Sequence, residues 1–296
     1  MKKGGQSIRI VMLGLLIVPV IAALASNFIS QADCRVQWVK SKDGTPIAVE
    51  CAGAGPSLVI VHGGIGDHTR WKPLFPFFAP HFRVCAMDRR GHGMSGDSLE
   101  YTLQREAEDV AAVVNSQPGP LFLLGHSYGG ICALEATFLT DKISKLVLYE
   151  PPLQERNRSI IAARMEDMIR KGQREQALVM FLQEIVMMSP NEVAAMKSRP
   201  SWAGLVVSVE SQIRQIQALN EYRFDANRIS KLKVPTLVLT GSRTESADLK
   251  RAISVLMGCL PNPTLVVLQG QEHNAMDTVP QQFAETVISF LLNNKS

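Results

Sequence analysis

Leu121-Phe122-Leu123-Leu124-Gly125-His126-Ser127-Tyr128-Gly129 joins an apolar run, a GxSxG pentapeptide and the start of a helical pattern. GxSxG alone is a weak signal, because glycine and serine are common. The apolar strand before it and the helical spacing of apolar residues over 128–139 after it make the strand–turn–helix in which a serine stands exposed at a sharp bend. The glycines have a steric task in such a turn: a Cβ at Gly125 or Gly129 would clash with neighbouring elements, while Ser127 sits strained at the tip. Ser127 also opens a helix, where free N–H groups and the dipole favour the negative charge that develops during acyl transfer. A glycine-rich turn without chemistry is the plain alternative, and it leaves the flanking pattern unexplained.

Outward from this bend, short β-rich apolar runs alternate with amphipathic stretches, the pattern of a parallel sheet covered by helices on both faces. Strands are expected over 58–61, 83–87, 121–124, 145–149, 236–240 and 265–268, and helices over 103–114, 128–139, 247–256 and 281–292. An antiparallel hairpin over 35–39 and 47–50, turning at Asp43-Gly44, precedes them. One interval breaks the rhythm. From Pro151 to about Lys231 the sequence carries helical pattern, as over 160–169 and 175–188, and no convincing strand. We expect four segments: residues 1–30 as a signal peptide or anchor, 31–150 as the first part of the core, 151–231 as an inserted helical cap, and 232–296 as the second part of the core. Met180, Phe181, Ile185, Met187 and Met188 either line a pocket beneath the cap or simply pack one helix face.

A serine hydroxyl is a poor nucleophile until a base takes its proton, so a histidine must reach Ser127 from elsewhere in the chain. Of the six histidines, His273 follows the last strand in Gln269-Gly270-Gln271-Glu272-His273, in a loop at the C-terminal edge of the sheet. His126 adjoins the nucleophile with its side chain directed elsewhere, and His92 reads as an ordinary loop histidine. Acyl transfer also needs N–H donors aimed at the developing oxyanion. His62-Gly63-Gly64-Ile65, directly after a strand, supplies Gly64 or Ile65, with Tyr128 as the second donor.

Beyond residue 34 the chain resembles the α/β-hydrolase superfamily of the serine-nucleophile, helical-cap type. The marks are His62-Gly63-Gly64 with Trp71 downstream, Asp88-Arg89-Arg90-Gly91-His92-Gly93-Met94-Ser95-Gly96, the bend at Ser127, the inserted cap and the terminal Gly270-Gln271-Glu272-His273. The resemblance implies the α/β-hydrolase fold, with a mostly parallel sheet, an N-terminal antiparallel hairpin and a cap inserted after the sixth strand. It implies that residues 88–96 mainly shape the site wall, and that neither a metal nor an organic cofactor is required. Haloalkane dehalogenases and epoxide hydrolases, which use an aspartate nucleophile, are excluded by the serine.

The acid of the triad departs from the commonest pattern in that superfamily, an aspartate three residues past the glycine that ends the penultimate strand. Here Gly241 is followed by Ser242, Arg243 and Thr244, so the expected place holds threonine. Glu245 lies one residue late. Glu150 ends the preceding strand before Pro151-Pro152, a place where some members carry their acid. Either glutamate would accept the second imidazole N–H of His273, and Glu150 is the better placed.

The composition excludes a nucleic-acid partner: the net charge is +4, and Lys2, Lys3 and Arg9 supply three of those charges from the N-terminal segment. Lys2 and Lys3, an apolar run over 10–25 and Ala23-Leu24-Ala25 read as an export signal with a cleavage site, or as an uncleaved anchor. Five cysteines cannot all pair. Cys34 and Cys51 flank the hairpin and are the candidate pair, while Cys85, Cys132 and Cys259 read as buried thiols. The expectation is an exported serine hydrolase acting on a small to medium, largely apolar carboxylic ester. Lactone, amide or carbon–carbon cleavage and perhydrolysis by the same triad remain open, as does a non-catalytic binding protein on this fold.

Overall fold

The computed structural model describes residues 35–153 and 157–293. The proposed signal or anchor, its cleavage site and Cys34 lie outside the described residues. Among the described residues no helix is long and apolar enough to cross a membrane.

Eight strands form one sheet in the order β1-β2-β4-β3-β5-β6-β7-β8. The hairpin β1 (Arg35–Lys40) and β2 (Pro46–Ala52) pairs antiparallel, and β2 pairs antiparallel with β4 (Arg83–Met87). From there the ladder is parallel through β3 (Ser57–Val61), β5 (Leu121–His126), β6 (Ile143–Tyr149), β7 (Thr236–Gly241) and β8 (Thr264–Leu268). The two-residue period of a strand divides the core. On β3, Val59 and Val61 face one apolar cluster while Leu58 and Ile60 face the other. The first cluster is covered by α2 (Leu103–Ser116), α3 (Tyr128–Ala136) and α10 (Ala247–Cys259). The second is covered by the 3-10 turn His68–Leu74, α1 (Phe75–Phe78), α11 (Ala275–Thr278) and α12 (Pro280–Leu292).

Between β6 and β7 the described chain forms helices and no strand: α4 (Ser159–Arg170), α5 (Arg174–Glu184), α6 (Pro190–Lys197), α7 (Trp202–Val207), α8 (Val209–Glu221) and α9 (Ala226–Ile229). This insertion has an apolar core of its own, centred on Met165, Leu178, Phe181, Leu182 and Ile213. The helix expected over 175–188 stops at Glu184, because Met187 adopts a φ of +65° that no α-helix accommodates.

The cysteine pairing differs from expectation. Cys51 bonds Cys85, not Cys34. Spatial strand order is the reason: β2 lies between β1 and β4, and the register sets Cys51 directly opposite Cys85 with Cα atoms 4.1 Å apart. Cys132 is a buried free thiol and Cys259 a half-buried one.

Candidate active site

Three loops at the C-terminal ends of parallel strands converge on one cavity. Ser127 stands between β5 and α3 with φ 51° and ψ −127°, a strained conformation for a residue with a side chain. Glycine on either side makes that bend feasible. A Cβ on Gly129 would lie 2.2 Å from the carbonyl oxygen of His62, and one on Gly125 would lie 2.6 Å from that of Gly129. The bend is therefore pressed against the end of β3, and both Ser127 and Gly64 line the cavity beside it.

His273 comes from the loop after β8 and lines the same cavity. Its Nδ1 lies 2.6 Å from Oε2 of Glu150. That contact engages Nδ1 and leaves Nε2 as the ring nitrogen away from the carboxylate. Glu150 is fully buried and, like Ser127, has a positive φ, here 44°. Its other oxygen, Oε1, accepts from the hydroxyls of Thr240 (2.8 Å) and Thr244 (2.6 Å) and from the N–H of Gly241 (2.9 Å). Burial raises the carboxyl pKa, but the bond to His273 and these donors outweigh it and hold it below the ordinary carboxylate value. Thr244, where the commonest pattern has aspartate, donates to the glutamate one strand away. Glu245 is exposed on the rim of a neighbouring cavity, so the geometry brings Glu150 to the imidazole and leaves Glu245 apart.

Two side chains not assigned a part from sequence hold the histidine loop. His126, whose ring is buried, lies with Nε2 2.9 Å from the carbonyl oxygen of His273. Burial pushes its pKa well below the ordinary histidine value, so the ring is neutral and Nε2–H donates. Tyr149 donates its hydroxyl to the carbonyl of Glu272 and accepts from the N–H of Ala275 at 3.1 Å. The periodicity of β5 and β6 places both rings on the face under that loop, a signal visible only once the loop is known to cross there.

The wall opposite the strand ends comes from the insertion. Phe181, Ile185, Val186, Met188 and Ile216 line the cavity, which encloses about 1080 Å³ including its solvent-open mouth. Met187, expected among them, is exposed and turned to the neighbouring cavity. From α8, Gln215 donates through Nε2 to the carbonyl of Gly64 at 3.0 Å. His92 is not an ordinary loop side chain: it is buried, burial and the charge of Arg89 push its pKa down to about 4, and its Nε2 lies 3.2 Å from Oγ of Ser211 on α8.

Known proteins resemble this chain in sequence and fold. The sequence profile described as the alpha/beta hydrolase family matches residues 58–286. The chain is 25% identical over 260 residues to a 2-hydroxy-6-oxo-6-(2'-aminophenyl)hexa-2,4-dienoic acid hydrolase of Metapseudomonas resinovorans, covering 81% of this chain and 85% of that one. It is 27% identical over 268 residues to a pimeloyl-(acyl-carrier protein) methyl ester esterase of Aeromonas hydrophila, covering 83% and 99% of the two chains. Among solved structures, an alpha/beta hydrolase from Sphaerobacter thermophilus is similar with a TM-score of 0.76 and 32% identity, over 86% of this chain and 100% of that one.

Proposed function

We propose that this chain, which belongs to the alpha/beta hydrolase family and is a hydrolase, uses Ser127 as nucleophile to cleave a small to medium, largely apolar carboxylic ester through an acyl-enzyme. The observation that carries the reading is the 2.6 Å contact between His273 Nδ1 and the buried Glu150, at a cavity that Ser127 also lines. In the first step Ser127 Oγ attacks the ester carbonyl as its proton passes to His273 Nε2, and Glu150 stabilises the resulting imidazolium. The N–H groups of Gly64 and Tyr128 receive the oxyanion. The imidazolium returns its proton to the departing alcohol. His273 then deprotonates water, which attacks the acyl carbon and releases the acid with Ser127 restored.

The insertion acts as a cap whose apolar side chains receive the acyl group, and the named activity of the Aeromonas relative, a methyl ester esterase, supports this bond type. Hydrolysis of a dienoic acid, the activity named for the Metapseudomonas relative, is the second reading. We place the enzyme outside the cytoplasm, a reading supported by the charged and apolar start of the chain and by the bond between Cys51 and Cys85. Small-molecule substrate, without metal, cofactor or nucleic acid, completes the proposal.

Stopped-flow hydrolysis of p-nitrophenyl esters of increasing acyl length tests it, with lactones, amides and a dienoic acid alongside. A burst of nitrophenol equal to the enzyme concentration, absent in Ser127→Ala, is expected. Undiminished turnover in Ser127→Ala refutes the nucleophile, and cleavage of the dienoic acid without esters favours the second reading.

A further inference from the structure

The proposed oxyanion hole requires the Gly64 N–H to face the cavity, and the contacts behind the turn bear on its direction. In a trans peptide the carbonyl and the following N–H point in opposite directions. Whatever draws the Gly63 carbonyl away from the cavity thereby turns the Gly64 N–H toward it. Two buried side chains hold that carbonyl: Arg89 donates through NH1 at 2.7 Å, and His62 Nδ1 lies at 2.8 Å. The other nitrogen of His62 accepts from the backbone N–H of Arg89 at 3.1 Å, so the ring proton is on Nδ1 and it too donates. Both lone pairs of the Gly63 oxygen are thus engaged. Gly63 and Gly64 line the cavity, whereas Arg89 and His62 stand behind it.

Arg89 is itself immobilised. Its guanidinium is 1% exposed and meets Glu106 in a fork, Nε to Oε2 at 2.6 Å and NH2 to Oε1 at 3.0 Å. NH2 also donates to the hydroxyl of Tyr101 at 3.1 Å. Its central carbon lies 4.3 Å from the ring centroid of Tyr128, the residue whose backbone offers the second donor. One buried cation therefore touches the carbonyl of the Gly63–Gly64 peptide and the ring of Tyr128, from the stretch 88–96 otherwise assigned to the wall.

We propose that Arg89 is a positioning residue for oxyanion stabilisation: it fixes the Gly63 carbonyl, so aims the Gly64 N–H, and seats the ring of Tyr128. Its charge also polarises the Gly63–Gly64 peptide and strengthens that N–H as a donor. The inference rests on the serine-hydrolase reading and deepens it. Arg89 touches no substrate, so it acts on the charged transition state while leaving ground-state binding alone.

The test compares the wild type with Arg89→Met/Glu106→Leu, which removes both members of the buried pair while keeping apolar volume, a replacement that folded proteins often tolerate. On p-nitrophenyl butyrate, kcat is expected to fall on the order of 10- to 100-fold with KM within about twofold. Affinity for a trifluoromethyl ketone, which forms a tetrahedral adduct with an activated serine, falls in parallel. A folded double variant with wild-type kcat and ketone affinity, or a loss confined to KM, overturns the proposal. If the double variant does not fold, Arg89→Lys carries the test, since it keeps the cation against Glu106 but lacks the forked reach to Gly63. It is expected to lose about tenfold in kcat and in ketone affinity, and wild-type values in both overturn the proposal. Wild-type protein that neither turns over the ester nor binds the ketone refutes the serine-hydrolase reading itself, and this inference falls with it.

Discussion

Among the described residues lie two histidine–carboxylate clusters, and they differ in what is left over. His68, at the start of the 3-10 turn, has Nδ1 2.8 Å from Asp88 Oδ1 and Nε2 2.8 Å from Glu50 Oε2. Its backbone N–H also donates to Asp88, at 2.6 Å. Each ring nitrogen faces a carboxylate, and the ring is buried. Burial opposes the charge, but the bond to Asp88 and the two carboxylates outweigh it and raise the pKa above the ordinary histidine value. The two carboxylates thus favour the imidazolium form of His68, which joins β2 to the loop after β4. His273 has one carboxylate, on Nδ1, and lines a cavity with its ring. The same pair of residue types makes a clasp when both nitrogens are engaged and a candidate base when one remains for a substrate.

Exchanging the fates of the two histidines gives the largest expected effect. His273→Ala is predicted to lower kcat by about 10⁴-fold or more, whereas His68→Gln lowers it less than about threefold at a temperature where the variant is folded. Comparable losses in a steady-state assay would erase the distinction. Next in size, Glu150→Gln is expected to cost about 10²- to 10⁴-fold in kcat, because the amide stabilises neither the tautomer nor the imidazolium. Glu245→Gln is expected to leave kcat within about twofold, and the reverse order would move the acid to the later loop.

The clasp answers to stability instead. His68→Gln takes the cation from the buried Asp88, while Glu50 keeps Lys72 Nζ at 3.0 Å, and is expected to cost about 3 kcal/mol in urea unfolding. Because the folded pKa of His68 is raised, its contribution is fully present below the ordinary histidine value and is lost as pH rises through the raised one. The difference in Tm between wild type and His68→Gln therefore narrows as pH increases across that window; a gap that widens would show that the ring is neutral in the fold. The smallest effect is at Thr244. Thr244→Val removes one of three donors to Glu150 Oε1 and is expected to lower kcat about 3- to 10-fold, measured with KM unchanged.

Much of this was legible in the chain. Strand 83–87 falls where its short apolar run sets it, and the other expected strands are met within two residues at each end. The glycines flanking Ser127 are required for the steric reasons read from GxSxG alone. What stayed hidden depends on neighbours distant in sequence. Cys51 meets Cys85 because β4 inserts beside β2 in space, an order that chain order does not reveal. Thr244 looked like a missing aspartate, and only the fold shows its hydroxyl on the glutamate of the adjoining strand. The clamp of His126 on the histidine loop joins residues 147 apart in sequence. α8 escaped individual recognition because its buried face mixes Val209, Ile213 and Ile216 with Ser211, Gln212 and Gln215, which blurs the apolar stripe.

The proposed activation of the Ser127 hydroxyl is tested most directly by reacting the folded protein with a fluorophosphonate and mapping the adduct by peptide mass spectrometry. The expected outcome is a single covalent phosphonyl group on the peptide containing Ser127, with labelling lost in His273→Ala. An unlabelled Ser127 in protein that still hydrolyses esters, or a label on another residue, would contradict the account.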